Sequence, residues 1–232
     1  MKIFDQIANS KGHTGYRKRE EVFSHTVDGG NAAKMIKGYI NILNFYNFKL
    51  NAINNCIDIG CGAGYITREF SENNFNIKGM EYSEDALTIA KEHNPNLEII
   101  QGDMSKFKEE NQYDFIFSRE VYLITRVNCF TEQKQIISNM VDSLKLNGVF
   151  MLVASDVSYP NCMDYNLIMK TIKKDKNILV SPKYLEFIFR KFNKLIFGKI
   201  SYKILELLLM PVILYKKRNG WASQYIIVFK KI

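Results

Sequence analysis

Three glycines at alternate positions follow a short apolar run in CIDIGCGAGYI, residues 56 to 66 of a 232-residue chain. Glycine at 60, 62 and 64 frees the backbone from the restrictions of a Cβ and lets a ligand approach the main chain, so the segment reads as a cofactor-binding turn. Its spacing excludes two common ligand classes. A dinucleotide fingerprint G-x-G-x-x-G would need glycine at 65, where the chain has Tyr65, and a P-loop would need Gly-Lys-Ser/Thr after the turn. His13, His25 and His93 form no H-x-x-x-H spacing, and Cys56, Cys61, Cys129 and Cys162 form no C-x-x-C pair. The thiols are expected to be reduced and structural, with no dedicated metal site.

Such a turn has to be held between a strand and a helix, and the surrounding sequence supplies both. From Asn54 the pattern alternates: strand Cys56–Ile59, helix Ile66–Asn73, strand Ile77–Glu81, helix Glu84–His93, strand Leu97–Gln101 and strand Tyr113–Ser118. Thr131–Leu144 reads as a helix stopped by Asn147-Gly148, ahead of the apolar strand Val149–Ala154. Residues 155–200 break the alternation with polar, proline-containing sequence and two helices, and final strands are expected near Val212–Tyr215 and Tyr225–Lys230, joined through Asn219-Gly220. Upstream, KGHTGYRKREEVFSHTVDGG leads into a helix over Asn31–Phe45 with Ala33, Ile36, Ile40 and Leu43 on its apolar side. Alternation of this kind predicts an α/β fold with a mostly parallel sheet covered by helices. Length and a hydrophobic fraction of 47% fit a single domain over 1–232: a lid and helix to residue 50, a core over 51–155, and 156–232 beyond it.

The run D-x-G-x-G-x-G after the first strand, from Asp58 through Gly60, Cys61 and Gly62 to Gly64, resembles motif I of class I S-adenosylmethionine-dependent methyltransferases. Three later segments resemble that family in the same order. IKGMEYS puts Glu81 where the family has an acidic residue for the ribose hydroxyls, with Tyr82 beside the adenine pocket. IIQGDMSKF puts Asp103 and Met104 where the family addresses adenine, and YDFIFSREVYLI resembles motif IV, with Ser118, Arg119 and Glu120 at the ligand-facing end of the strand and Arg119 counted among the cofactor-binding residues. LKLNGVFMLVAS resembles the family's LKPGG segment, with Leu146 and Asn147 in place of proline and glycine. The resemblance covers roughly residues 50 to 155. It implies a seven-stranded mostly parallel sheet with helices on both faces, an N-terminal helical lid, an insertion after strand five, and S-adenosylmethionine as cofactor. The lid, as in other members, would close over the cofactor on Gly12 and Gly15 and bring Tyr16 or Arg17 to its carboxylate.

Methyl transfer is an in-line displacement that needs alignment first and a base only if the acceptor must lose a proton. His13, His25 and Glu120 are the candidate bases. Motif IV carries Ser118-Arg119-Glu120-Val121 and not the N/D-P-P-Y/F of nucleic-acid amino methylation, and Pro160-Asn161-Cys162 is no cytosine-C5 Pro-Cys. Both departures argue against nucleic acid. Charge is uneven: residues 1–160 hold 17 Lys/Arg against 20 Asp/Glu, whereas 161–232 hold 15 against 4. The acceptor is expected to be a small anionic metabolite, methylated on O or N, with Arg17, Arg119 or Lys170 supplying positive charge. RNA methylation through the basic last third, and a non-catalytic cofactor-binding role, are the alternatives. Met1–Ser10 lacks a secretory-signal layout, so a cytoplasmic location is expected. Ile204–Tyr215, with Glu206 and Pro211, is too short to span a bilayer, and basic and apolar residues interleaved from Phe187 to Arg218 leave peripheral membrane contact open.

Overall fold

The computed structural model describes residues 29–48, 54–125, 129–155, 170–173, 176–218 and 224–232. Eight strands form one sheet: β1 (Cys56–Ile59), β2 (Ile77–Glu81), β3 (Ile99–Gln101), β4 (Tyr113–Arg119), β5 (Leu144–Ser155), β6 (Ile178–Val180), β7 (Tyr184–Leu185) and β8 (Gln224–Lys231). Their order is β3-β2-β1-β4-β5-β8-β6, with β7 also paired to β8. The first five strands run parallel, and β8 is antiparallel to β5, β6 and β7. Strand order reverses between β1 and β4. At such a reversal the connections leave in opposite directions and open a crevice at the strands' carboxyl ends.

The central strands are apolar along both faces because helices cover both. Val149, Met151 and Val153 of β5 pack into one core with Phe115, Phe117, Ile226 and Val228. Phe150, Leu152 and Ala154 turn to the other side, with Ile116, Ile227 and Phe229. The first core is covered by α1 (Gly29–Phe45), α2 (Tyr65–Glu72), α6 (Glu186–Phe192) and α7 (Lys199–Leu208), and the second by α4 (Tyr122–Thr125) and α5 (Phe130–Asp142). α1 buries Ala32, Met35, Ile36, Tyr39, Ile42 and Leu43 at helical spacing. Gly38 lets it approach α6, since a Cβ there would lie 2.7 Å from Phe189 Cβ. α3 (Glu84–His93) has Ser83 as its N-cap, accepting from Ala86 N, with Glu84 and Asp85 in the first turn and Lys91 and His93 in the last, in accord with the helix dipole.

Three expectations are corrected. The stretch Val212–Tyr215 is not a strand but part of α8 (Met210–Arg218), where Pro211 sits in the first turn and costs no helical hydrogen bond. The sheet has eight strands and not seven, because β6 and β7, three and two residues long, pair with β8. The helix read as reaching Leu144 ends at Asp142, and β5 begins at once with a register shift opposite Tyr113 and Phe115. Gly148 fills that irregularity where a Cβ would come within 2.8 Å of Lys145 O, and Asn147 adopts φ +65°.

Phe70 of α2 is fully buried among Tyr39, Phe75, Phe115 and Phe117. Phe70→Ala should cost about 3–5 kcal/mol of unfolding free energy in urea titrations, the range for a large aromatic removed from a core. Leu146→Ala, at an exposed position, should change it by less than about 0.5 kcal/mol.

Candidate functional site

The turn after β1 uses left-handed backbone three times, with φ +77° at Gly60, +57° at Gly62 and +75° at Gly64. It is laced to β2: Gly60 N and Cys61 N both donate to Met80 O, at 2.8 and 3.1 Å, and Gly62 N donates to Glu81 Oε2 at 2.9 Å. The flanking glycines also answer to packing. A Cβ at Gly60 would lie 2.6 Å from Val121 Cγ2, and one at Gly64 would lie 2.8 Å from Asn94 Nδ2. Asn94 itself clamps the turn to α3 by donating to Ala63 O and Ala90 O.

Asp58 is buried behind the turn, where Thr67 Oγ1 of α2 donates to its Oδ2 at 2.7 Å. Burial pushes its carboxyl up to about 7; the Thr67 bond and Arg119 oppose the shift, and Glu81 adds to it. The Cys61 thiol is likewise raised by burial and faces Gly79, where a Cβ would lie 2.8 Å from Sγ. Cys61 therefore presents its main chain, not its thiol, at the turn.

At the end of β2, Glu81 accepts from three main-chain donors: Gly62 N on Oε2, and Tyr82 N and Ser83 N on Oε1, each at 2.9 Å. One strand further out, Gly102 N donates to Glu81 O, and Asp103 follows with its Oδ1 accepting from Ser105 N and Oγ. Lys106 pairs with Asp103 Oδ2 at 3.6 Å. Met104 is buried in the second core with Met80.

Across the crevice, Ser118 Oγ donates to Ile59 O at 3.0 Å and ties the end of β4 to that of β1. Glu120 has φ +51°, a conformation that costs a non-glycine residue free energy and is concentrated at functional positions. Its N–H donates to Val153 O. Arg119 Nη2 donates to Gln224 Oε1 at 2.8 Å, while its Nε is buried without a partner among the described residues. Three further buried atoms lack partners among the described residues: Asn94 Oδ1 in the clamp of the turn, and Tyr39 Oη and Glu186 Oε1, both of which feel the charge of Arg119. Burial raises the Tyr39 phenol, opposed by nearby Arg119, though the approach falls short of hydrogen-bond geometry. Burial also raises Glu186, with Arg119 and Arg190 opposing and Glu120 adding. A buried polar atom left unpaired costs about 1–3 kcal/mol, so the three at Arg119, Tyr39 and Glu186 are a cost to the folded state.

The carboxyl ends of β1, β2 and β4 thus hold Asp58, Gly60, Cys61, Gly62, Gly64, Glu81, Tyr82, Arg119 and Glu120 around one crevice, with Asp103 and Met104 one strand further out. Lys170 is exposed on a short helical segment, and His13, Tyr16, Arg17 and His25 lie outside the described residues. Tyr39, Glu186 and Gln224 were not singled out in the sequence: Tyr39 lies within the apolar stripe of α1, and the other two in the region read as insertion and last strands.

A family model for methyltransferase domains matches residues 51–206. The malonyl-[acyl-carrier protein] O-methyltransferase of Bacillus anthracis is 24% identical over 136 residues, 56% of this chain and 48% of that protein, so the chain spans about half the length of this curated relative. Among solved structures, the Haemonchus contortus phosphoethanolamine N-methyltransferase 2, in complex with phosphomonomethylethanolamine and S-adenosylhomocysteine, superposes with a TM-score of 0.67 at 16% identity, over 100% of this chain and 61% of that one. The magnesium protoporphyrin IX methyltransferase of Synechocystis, with S-adenosylmethionine bound, gives a TM-score of 0.60 at 13% identity over 99% and 96%.

The raised Asp58 carboxyl makes a pH-dependent contribution to stability. Because its folded value of about 7 exceeds the ordinary 3.8, the native state binds more protons between those limits, and stability falls as pH rises through that window. Asp58→Asn keeps an acceptor for Thr67 and removes the titration. Urea unfolding at pH 5 and pH 8 should show the variant gaining stability over the parent at the higher pH, and an equal difference at both would refute the assignment.

Proposed function

Because the chain belongs to the methyltransferase-domain family, whose enzymes use S-adenosylmethionine, we propose that it methylates an oxygen or nitrogen of a small anionic metabolite held by Arg119. S-adenosylmethionine supplies an electrophilic methyl group on its sulfonium. The residues at the strand ends fit that cofactor: a turn that is left-handed at Gly60, Gly62 and Gly64 bares its main chain, and the Glu81 carboxylate, with two oxygens, suits a pair of vicinal hydroxyls. In this reading Gly60, Cys61, Gly62 and Gly64 receive the amino-acid portion and Glu81 the ribose. Tyr82, Asp103 and Met104 border the adenine, and Asp58 supports the turn through Thr67. The cofactor's carboxylate is assigned to Tyr16 or Arg17, which lie outside the described residues. Residues 51–155 form the cofactor half of a single domain, and 156–232 the acceptor side.

The unpartnered Arg119 Nε carries the acceptor class. A buried guanidinium donor without a partner gains most from an anionic oxygen, since a charge-assisted hydrogen bond is stronger than a neutral one. Glu186 and Tyr39 offer an acceptor and a hydroxyl beside it, enough to orient a polar metabolite by several contacts. The phosphorylated ligand in the Haemonchus enzyme supports the same class. Where the acceptor must lose a proton, Glu120 takes it, with His13 and His25 as the alternatives in the N-terminal segment.

Glu81→Ala should weaken S-adenosylhomocysteine binding by about 1.5–3 kcal/mol in calorimetry, the range for hydrogen bonds to a charged group. Arg119→Gln should leave that affinity within a few-fold of the parent and lower kcat/KM for the acceptor by roughly ten- to hundred-fold. The acceptor is to be found by S-adenosylhomocysteine release across phosphorylated and carboxylated metabolites. Turnover confined to RNA, with the steep salt dependence of many phosphate contacts, would contradict the small-anion reading.

A further inference from the structure

Helix α7 is apolar on two opposite sides. Tyr202, Leu205 and Leu209 turn inward onto the core, whereas Ile200, Ile204, Leu207 and Leu208 line the outward side at i, i+4, i+7 and i+8. Three of those outward residues are 79%, 67% and 71% exposed at Ile200, Leu207 and Leu208, and Phe197 just before the helix is 83% exposed. α8 continues the surface: Ile213 packs on the core, while Val212, Leu214 and Tyr215 are exposed around the helix. Contiguous apolar surface of this extent on a protein marks a contact with another phase or molecule.

Its surroundings are basic. Between 187 and 218 the sequence holds eight Lys or Arg against one acid, Glu206, which pairs with Lys203. Lys191 on α6, Lys194 between the helices, and Lys199 and Lys203 on α7 are exposed, Lys199 with its ammonium 4.7 Å from the centre of the Tyr46 ring. Lysine stems can lie along an apolar layer while their ammonium groups stay at its polar boundary. We propose that α7 and α8 dock the enzyme on the surface of an anionic lipid bilayer, with the apolar residues entering the acyl boundary and the lysines meeting the headgroups. The distribution of apolar groups selects lipid over a protein partner. A folded partner covers one face of a helix, but α8 exposes apolar side chains on several, and a fluid apolar layer can surround them. No helix among the described residues is long and apolar enough to cross a membrane, so the contact is interfacial.

The chain links this face to the site. α8 ends at Arg218, six residues before Gln224, the hydrogen-bond partner of Arg119, and that span of chain reaches at most about 22 Å.

Flotation of the full chain with vesicles of phosphatidylcholine alone, or of phosphatidylcholine and phosphatidylglycerol in equal parts, tests the proposal. The parent should float with the anionic vesicles and far less with the neutral ones. Leu207→Gln/Leu208→Gln, on the outward side of α7, should cut partitioning by roughly a hundred-fold, about ten-fold per leucine withdrawn from an apolar layer. Its S-adenosylhomocysteine affinity and circular dichroism should match the parent. The proposal is overturned if the parent does not float, if the double variant floats as well as the parent, or if sedimentation without lipid shows a dimer that the double variant dissolves. The last result would give the face to a second copy of the chain.

Discussion

The site depends on one backbone constraint: the chain must leave β1 through three left-handed residues and still be held rigidly. Glycine satisfies the first requirement and leaves the turn soft, so rigidity has to come from outside it. β2 supplies it twice, through Met80 O and the Glu81 carboxylate, and Asn94 clamps the far end to α3. Val121 closes the near side against Gly60. The turn is therefore positioned by the neighbouring strand ends, and the same carboxylate that braces it is the proposed ribose partner. Binding at Glu81 and order in the turn are coupled by that shared group.

A second constraint acts through solvation. Arg119, Tyr39 and Glu186 each bury an atom with no partner among the described residues, at the junction of β4, α1 and α6. In a core built only for stability such atoms would be replaced by apolar groups, because an unpaired polar atom gains nothing from burial. The charges around them are mixed, with Arg119 and Arg190 against Glu186 and Glu120, so the place is not an unbalanced basic patch. Gly38 permits the close approach of α1 and α6 beside Tyr39.

Much of this was legible in the sequence where local chemistry dictates structure. β1, β2 and α3 have the expected bounds because apolar runs, the glycine turn and the Ser83 cap each act within a few residues. Asn147 at φ +65° stands where a glycine was expected, and asparagine tolerates that region. The sequence misleads where an apolar run serves either kind of element: Val212–Tyr215 reads as a strand but is helical, with Val212, Leu214 and Tyr215 exposed. β6 and β7 are too short to show alternation and exist because β8 offers them an edge. Glu186 and Gln224 join Arg119 only through tertiary packing, which no spacing along the chain announces.

The central claim, that the turn after β1 is the seat of the cofactor, is tested most directly by calorimetric titration of S-adenosylhomocysteine into the parent and into Gly62→Val, with folding of both checked by thermal melting. Valine at a backbone with φ +57° is strained and adds bulk to a main chain that must be approached closely. The account predicts saturable binding of one ligand per chain in the parent and none measurable in the folded variant. Undiminished affinity in Gly62→Val, or no binding by the parent, would contradict it.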